Sequence, residues 1–121
     1  MSISIITIYG IANCSSVKKT RVYFDKNHIK YVFINFYQDI PSTGLLDKWI
    51  NKLSLSQLIN KKSITWRQLD NDMKQLIENN QSVISILRDN ITLIKRPVIQ
   101  WADGSVTVGY DEILFQQKNN Q

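Results

Sequence analysis

Two runs of β-branched and aromatic residues stand close together near the start of this chain, and the segment between them contains neither glycine nor proline. The first run, Ile3, Ile5, Ile6 and Ile8, stops at Gly10, and the second is Tyr31, Val32, Phe33, Ile34 and Phe36. Between them, Ser15 to Asn27 reads as helix, broken by Asn27 and His28. An interval of about a dozen helical residues between two apolar strands matches a crossover. The spacing therefore predicts a β-α-β unit with parallel strands joined right-handedly.

Pro41 ends that unit, and Ser42 or Thr43 can cap a helix in which Leu45, Leu46, Trp49, Ile50 and Leu53 recur at helical spacing. Leu55, Leu58 and Ile59 continue the pattern in a shorter helix. Lys61, Lys62, Ser63, Ile64, Thr65, Trp66 and Arg67 read as a basic, exposed connection, a candidate wall for a binding site. Trp66 can equally be a packing anchor between helices and Arg67 a solvated surface residue. From Asp70 to Asn90, Met73, Leu76, Ile77, Val83, Ile84 and Leu87 keep helical periodicity through a polar break at Asn79, Asn80 and Gln81. Pro97 precedes the strand-like Val98, Ile99 and Trp101, and Asp103 and Gly104 give a tight-turn signal before Val106 and Val108. Gly109 ends that strand, and Asp111 can cap a last helix carrying Ile113, Leu114 and Phe115. The Gln- and Asn-rich tail after it reads as frayed. The order is β-α-β, a helical insertion at about residues 43–90, then β-β-α, in a single domain over 1–121.

The single cysteine, Cys14, sits where the first apolar run gives way to the helix. Unpartnered N–H groups and the positive end of the helix dipole at such a position favour a thiolate. Lys18 lies one turn on, with Lys19 and Arg21 following, and cations there work against the dipole unless they serve an anionic sulfur or ligand. A thiol with pKa near 8.5 is about 3% ionised at pH 7, and one near 6 is roughly 90% ionised. The alternative for Cys14 is an inert, buried small hydrophobe.

Lys and Arg number 15 against 10 Asp and Glu, a net charge of +5, which favours acidic partners in general. The lysines are scattered, and neither zinc-finger spacing nor the aromatic pattern of an RNA-binding sheet is present, so nucleic acid is disfavoured as a partner. One histidine, His28, leaves no metal cluster and reads as a turn or surface residue. The longest apolar stretch is far too short for a bilayer span. With no signal-peptide pattern and no disulfide framework, the expected location is cytoplasmic.

Tyr9, Gly10, Ile11, Ala12, Asn13 and Cys14 with Val17, Lys18 and Lys19, then Thr65, Trp66, Arg67, Gln68 and Leu69, then Ile94, Lys95, Arg96 and Pro97, resemble the arsenate reductase and Spx (ArsC-like) family, nearest its YffB-like subgroup. The similarity runs over essentially the whole chain. It implies an α/β, thioredoxin-like fold with a mixed sheet, and a small cytosolic reductase that uses Cys14 as nucleophile. No cofactor would be bound, and glutathione would be the co-substrate. The resemblance further implies that Asn13, Ser15, Lys18, Arg67, Arg96 and Pro97 line the glutathione or substrate site, and that Pro97 is cis. Arg96 would bind the anionic substrate or stabilise the thiolate.

Departures from the family matter equally. Arsenate reductases of this family carry three arginines around the cysteine. Here the first position aligns with Asn60 and the third falls near Val108 or Gly109, leaving Arg96 alone. Arsenate reduction is therefore disfavoured. Spx-type regulators, which bind RNA polymerase, commonly have a second cysteine where this chain has Val17. An intramolecular disulfide switch is impossible with one cysteine. The leading expectation is a glutathione-dependent thiol-disulfide reductase, and the alternative is an Spx-like interaction module without turnover.

Overall fold

A computed structural model describes residues 5–80 and 82–120. In it β1 (Thr7–Gly10) leads through a short turn into α1 (Ser15–Lys26), and the chain returns as β2 (Val32–Asn35). Ile3 of the first apolar run lies outside the described residues, and Ile8 is the fully buried apolar residue of β1. β1 and β2 pair in parallel, from Thr7 opposite Val32 to Gly10 opposite Asn35. Helix α1 forms because Val17, Thr20 and Phe24, at one-turn and two-turn spacings, can all be buried on one face. The Thr20 hydroxyl is satisfied by donating to the Ser16 carbonyl at 2.8 Å.

The chain divides into two compact units, one formed by Met1–Asp39 with Arg96–Gln121, the other by Ile40–Lys95. In the first, the described strands form one mixed sheet in the order β2-β1-β3-β4, with β3 (Val98–Gln100) antiparallel to both β1 and β4 (Val106–Val108). Strand alternation puts Phe33, Ile8 and Ile99 side by side on one face. There they meet Phe24 of α1 and Phe115 of α7 (Glu112–Asn119), together with Trp101. The rings of Phe24, Trp101 and Phe115 lie 5.6–5.7 Å apart in tilted or edge-on arrangements, the geometry their quadrupoles favour.

The β3–β4 connection is a three-residue loop. The Gly104 N–H donates to the Trp101 carbonyl at 3.0 Å, the Trp101 N–H donates to Ser105 at 2.9 Å, and Gly104 takes φ +88°. Such loops need one left-handed residue, and glycine supplies it without a Cβ clash. Asp111 caps α7 by accepting from the Leu114 N–H at 3.1 Å. That helix extends to Asn119, into the tail that composition reads as frayed, where Lys118 is tied down by Asp103 at 3.2 Å and Ser105 at 2.7 Å.

The second unit contains α2 (Thr43–Leu53), α3 (Leu55–Leu58), α4 (Ile64–Gln68), α5 (Asn71–Glu78), α6 (Val83–Asp89) and a 3₁₀ turn at Ile91–Leu93. Ser42, Ser63 and Asp70 cap α2, α4 and α5 by accepting from the N–H groups of Leu45, Trp66 and Met73. Its buried side chains include Leu46, Trp49, Leu58, Ile59, Ile77, Leu87, Leu93 and Ile94. The segment 61–67 is exposed at Lys61, Lys62, Ile64 and Arg67, as its charge suggested, but it is not an irregular connection throughout, since capping by Ser63 starts α4 within it. Trp66 is only 9% exposed and serves as the packing anchor, with the Lys61 and Lys74 ammonium groups 5.3 and 5.7 Å from its ring. Asn79 ends α5 at the predicted polar break, and Gln81 lies outside the described residues. Among the described residues no helix is long and apolar enough to cross a membrane.

Candidate thiol site

Gly10 ends β1 against the first turn of α1. A Cβ at Gly10 would stand 2.6 Å from Cγ2 of the fully buried Val17, so only glycine lets strand and helix approach this closely. The intervening turn closes with the Cys14 N–H donating to the Ile11 carbonyl at 3.1 Å, and the Cys14 carbonyl accepts the first helical bond from the Lys18 N–H at 3.0 Å. Cys14 is thereby the N-cap of α1, in extended conformation at φ −77°, ψ 131°. The thiol is free and half-buried.

Partial burial pushes the Cys14 thiol pKa up. The Val17 N–H, a hydrogen bond from the Arg96 side chain, the Ser16 N–H and the Arg96 charge push it down more strongly, so the net shift is below the ordinary thiol value. No regular capping hydrogen bond closes from the Cys14 side chain, so the first-turn N–H groups act by facing the sulfur. Lys18, whose side chain is exposed, is not among the groups that lower the pKa. The cation beside the sulfur is Arg96, which precedes β3 in the same unit.

The Arg96–Pro97 peptide bond is cis. The Pro97 carbonyl accepts from the Gly109 N–H at 2.8 Å, and Gly109 takes φ +84°. Asn13 and Ser15 flank Cys14 as exposed residues. Cys14, Asn13, Ser15, Lys18, Arg96 and Pro97 therefore share one unit. Arg67 belongs to the other, where its guanidinium donates to the Lys62 carbonyl at 3.1 Å.

Asn60 shapes a turn: its Oδ1 accepts from the Lys62 N–H at 3.1 Å and its carbonyl from the Ser63 hydroxyl at 2.8 Å. Thr65 of the Thr-Trp-Arg motif hydrogen-bonds the Thr92 hydroxyl. Among the described residues no group of three or more His, Cys, Asp and Glu side chains could hold a metal ion.

Sequence reasoning missed the Gly10–Val17 contact. The signal for it is a glycine closing a strand just before a helix, a position that serves as a close-packing point as well as a stop.

The ArsC family profile matches residues 9–117. An uncharacterised protein of Haemophilus influenzae is 34% identical over 111 residues, covering 92% of this chain and 96% of its own length. A protein named global transcriptional regulator Spx 1, from Bacillus cereus, is 26% identical over 110 residues, covering 88% of this chain and 81% of its own. Among solved structures, a protein named YFFB superposes with a TM-score of 0.84 at 23% identity, covering 93% of this chain and 97% of that one. With the mixed sheet and its helices, that likeness makes the fold α/β and thioredoxin-like.

Proposed function

The chain belongs to the ArsC family, and from that premise we propose that it is a glutathione-dependent thiol-disulfide reductase working through one cysteine. The observation that carries this reading is the half-buried Cys14 sulfur at the start of α1, beside Arg96, with its pKa held below the ordinary thiol value. In the proposed cycle the Cys14 thiolate attacks the glutathione sulfur of a mixed disulfide RS–SG. The S–S bond breaks, RS⁻ leaves, and a Cys14–glutathione disulfide forms. A second glutathione thiolate attacks the glutathione sulfur of that bond, releasing glutathione disulfide and regenerating the Cys14 thiolate. The proton from the second glutathione ends on RS⁻, and that glutathione supplies the electron pair.

In this reading Arg96 stabilises the thiolate and receives a glutathione carboxylate, while Asn13, Ser15, Lys18 and Pro97 border the bound tripeptide. The compartment we propose is the cytosol, which keeps glutathione reduced. The oxidised substrate is a glutathionylated thiol and not arsenate, because of the three arginines that the family resemblance implies around the cysteine this chain keeps only Arg96.

The test uses hydroxyethyl disulfide and glutathione as substrates, with intact-mass analysis after exposure to oxidised glutathione. Wild-type protein should turn over and gain one glutathione. Cys14→Ser should do neither while keeping its circular dichroism spectrum. Turnover at the wild-type rate in Cys14→Ser would falsify the reductase reading.

The identity to a transcriptional regulator favours a second reading, a non-enzymatic module whose partner is RNA polymerase. With one cysteine, its binding would be redox-independent or would run through a mixed disulfide. Recovery of polymerase subunits from a bacterial lysate by both wild type and Cys14→Ser supports this reading, and recovery by neither counts against it.

A further inference from the structure

Among the described strands, β2 lies at an edge of the sheet. The Val32 N–H donates to the Ile6 carbonyl and the Phe36 N–H to the Gly10 carbonyl, each at 2.9 Å. Residues of even number therefore turn their backbone groups toward β1, and alternation turns the N–H and C=O of Phe33 outward. An edge with open backbone groups is a template for another strand.

The face of that edge toward α1 is already shaped. Tyr31 and Phe33 pack against the aromatic core of their unit and floor an open cleft of about 720 Å³, with Arg21, Asp25, His28 and Lys30 around it. The Arg21 guanidinium lies over the Phe33 ring at 4.3 Å, and its Nε donates to the Tyr31 hydroxyl at 3.2 Å. Both contacts fix the plane of the fork, so its two Nη groups are pre-oriented for a carboxylate. Asp25, one helical turn from Arg21, is the natural competitor. Among the described residues, however, Arg21 makes no ion pair.

We propose that the β2 edge binds an extended acidic peptide segment of a partner protein, which adds a strand beside Phe33 and places a Glu or Asp side chain on Arg21 and Lys30. A strand added at the edge lies about 4.8 Å from β2, and alternate side chains fall on the same face as Tyr31 and Phe33. One such side chain therefore enters the cleft. The net charge of +5 favours acidic partners over basic ones. This binding uses neither Cys14 nor Arg96, so it stands apart from the reductase reading.

The probe is a fluorescein-labelled peptide of alternating valine and glutamate, titrated by fluorescence anisotropy at low salt. Wild type and Cys14→Ser should bind alike, and the Phe33 amide should shift in ¹⁵N spectra. Replacing glutamate by glutamine in the probe, or Arg21→Gln in the protein, should weaken binding about tenfold, the scale of one charge-assisted hydrogen bond. Lys30→Glu, at an exposed rim position, should weaken it several-fold. It carries the electrostatic test should Arg21→Gln fail to fold. N-methylation of alternate peptide nitrogens should abolish binding in one phase of the alternation. The proposal is overturned by no binding to wild type, or by binding indifferent to Lys30→Glu and to the glutamine probe. Equal affinity of both N-methylated probes would also overturn it, reducing the cleft to an isolated anion site.

Discussion

The charge state of one sulfur is decided by two first-turn N–H groups and one guanidinium working against burial. Removing the guanidinium should raise the thiol pKa. Alkylation of wild-type Cys14 should therefore titrate with a lower midpoint than the same cysteine in the urea-unfolded chain, and Arg96→Gln should move that midpoint upward, each unit costing roughly tenfold in thiolate at pH well below the pKa. Arg96→Lys should recover part of the shift, which a purely structural role for Arg96 would not produce. The linkage has a definite sign. A thiol whose folded pKa lies below its unfolded one contributes stability that is complete above the unfolded value near 8.5 and is lost as pH falls through the folded value. In urea titrations the stability advantage of wild type over Cys14→Ser should grow from pH 6 to 9. The position of Cys14 at a helix start was legible locally, because the run ending at Gly10 and the Gly-free, Pro-free stretch after it bracket the residue. Its cationic partner, Arg96, was implied only by the family resemblance and not by local spacing. Lys18 is near in sequence and exposed, whereas Arg96 comes beside the sulfur only through folding.

At the scale of elements, β1 and α1 are locked by the missing Cβ of Gly10 against Val17. Gly10→Ala should destabilise the fold by about 1–3 kcal/mol, the usual cost of overpacking, and should slow Cys14 alkylation by displacing the first helical turn. Adding Val17→Ala should restore part of both, and a double-mutant cycle measures that coupling. The hairpin and α7 are joined by Asp103, Ser105 and Lys118. Hydrogen bonds from Ser105, with Lys118 adding to them, hold the Asp103 carboxyl pKa at about 2. Its stabilising effect is present above the unfolded pKa near 3.9 and is lost as pH falls toward 2. Wild type should therefore lose more stability than Asp103→Asn between about pH 4 and 2, as followed by thermal melts. Periodicity predicted the helices well where apolar spacing and a cap agreed, as at Ser42 and Asp111. It failed at 61–67, where one short turn of helix carries too few residues to show a period and Ser63 caps it unannounced.

Across the whole molecule, the first unit depends on residues from both ends of the chain meeting at Phe24, Trp101 and Phe115. Phe115→Ala should cost about 3–5 kcal/mol, visible as a lower urea midpoint, whereas the exposed Ile113→Ala on the same helix should cost little. The sequence by itself determined the order of strands and helices, the parallel first pair and the place of the cysteine, because these follow from spacing, β-branching, glycine, proline and caps within a few residues of one another. Only the tertiary structure decided that β3 runs beside β1, that Arg96 and not Lys18 faces the sulfur, and that among the described strands β2 is an edge, beside Arg21. Those contacts join residues far apart in the chain, and local propensities do not encode which distant partners the packing of a shared core will bring together.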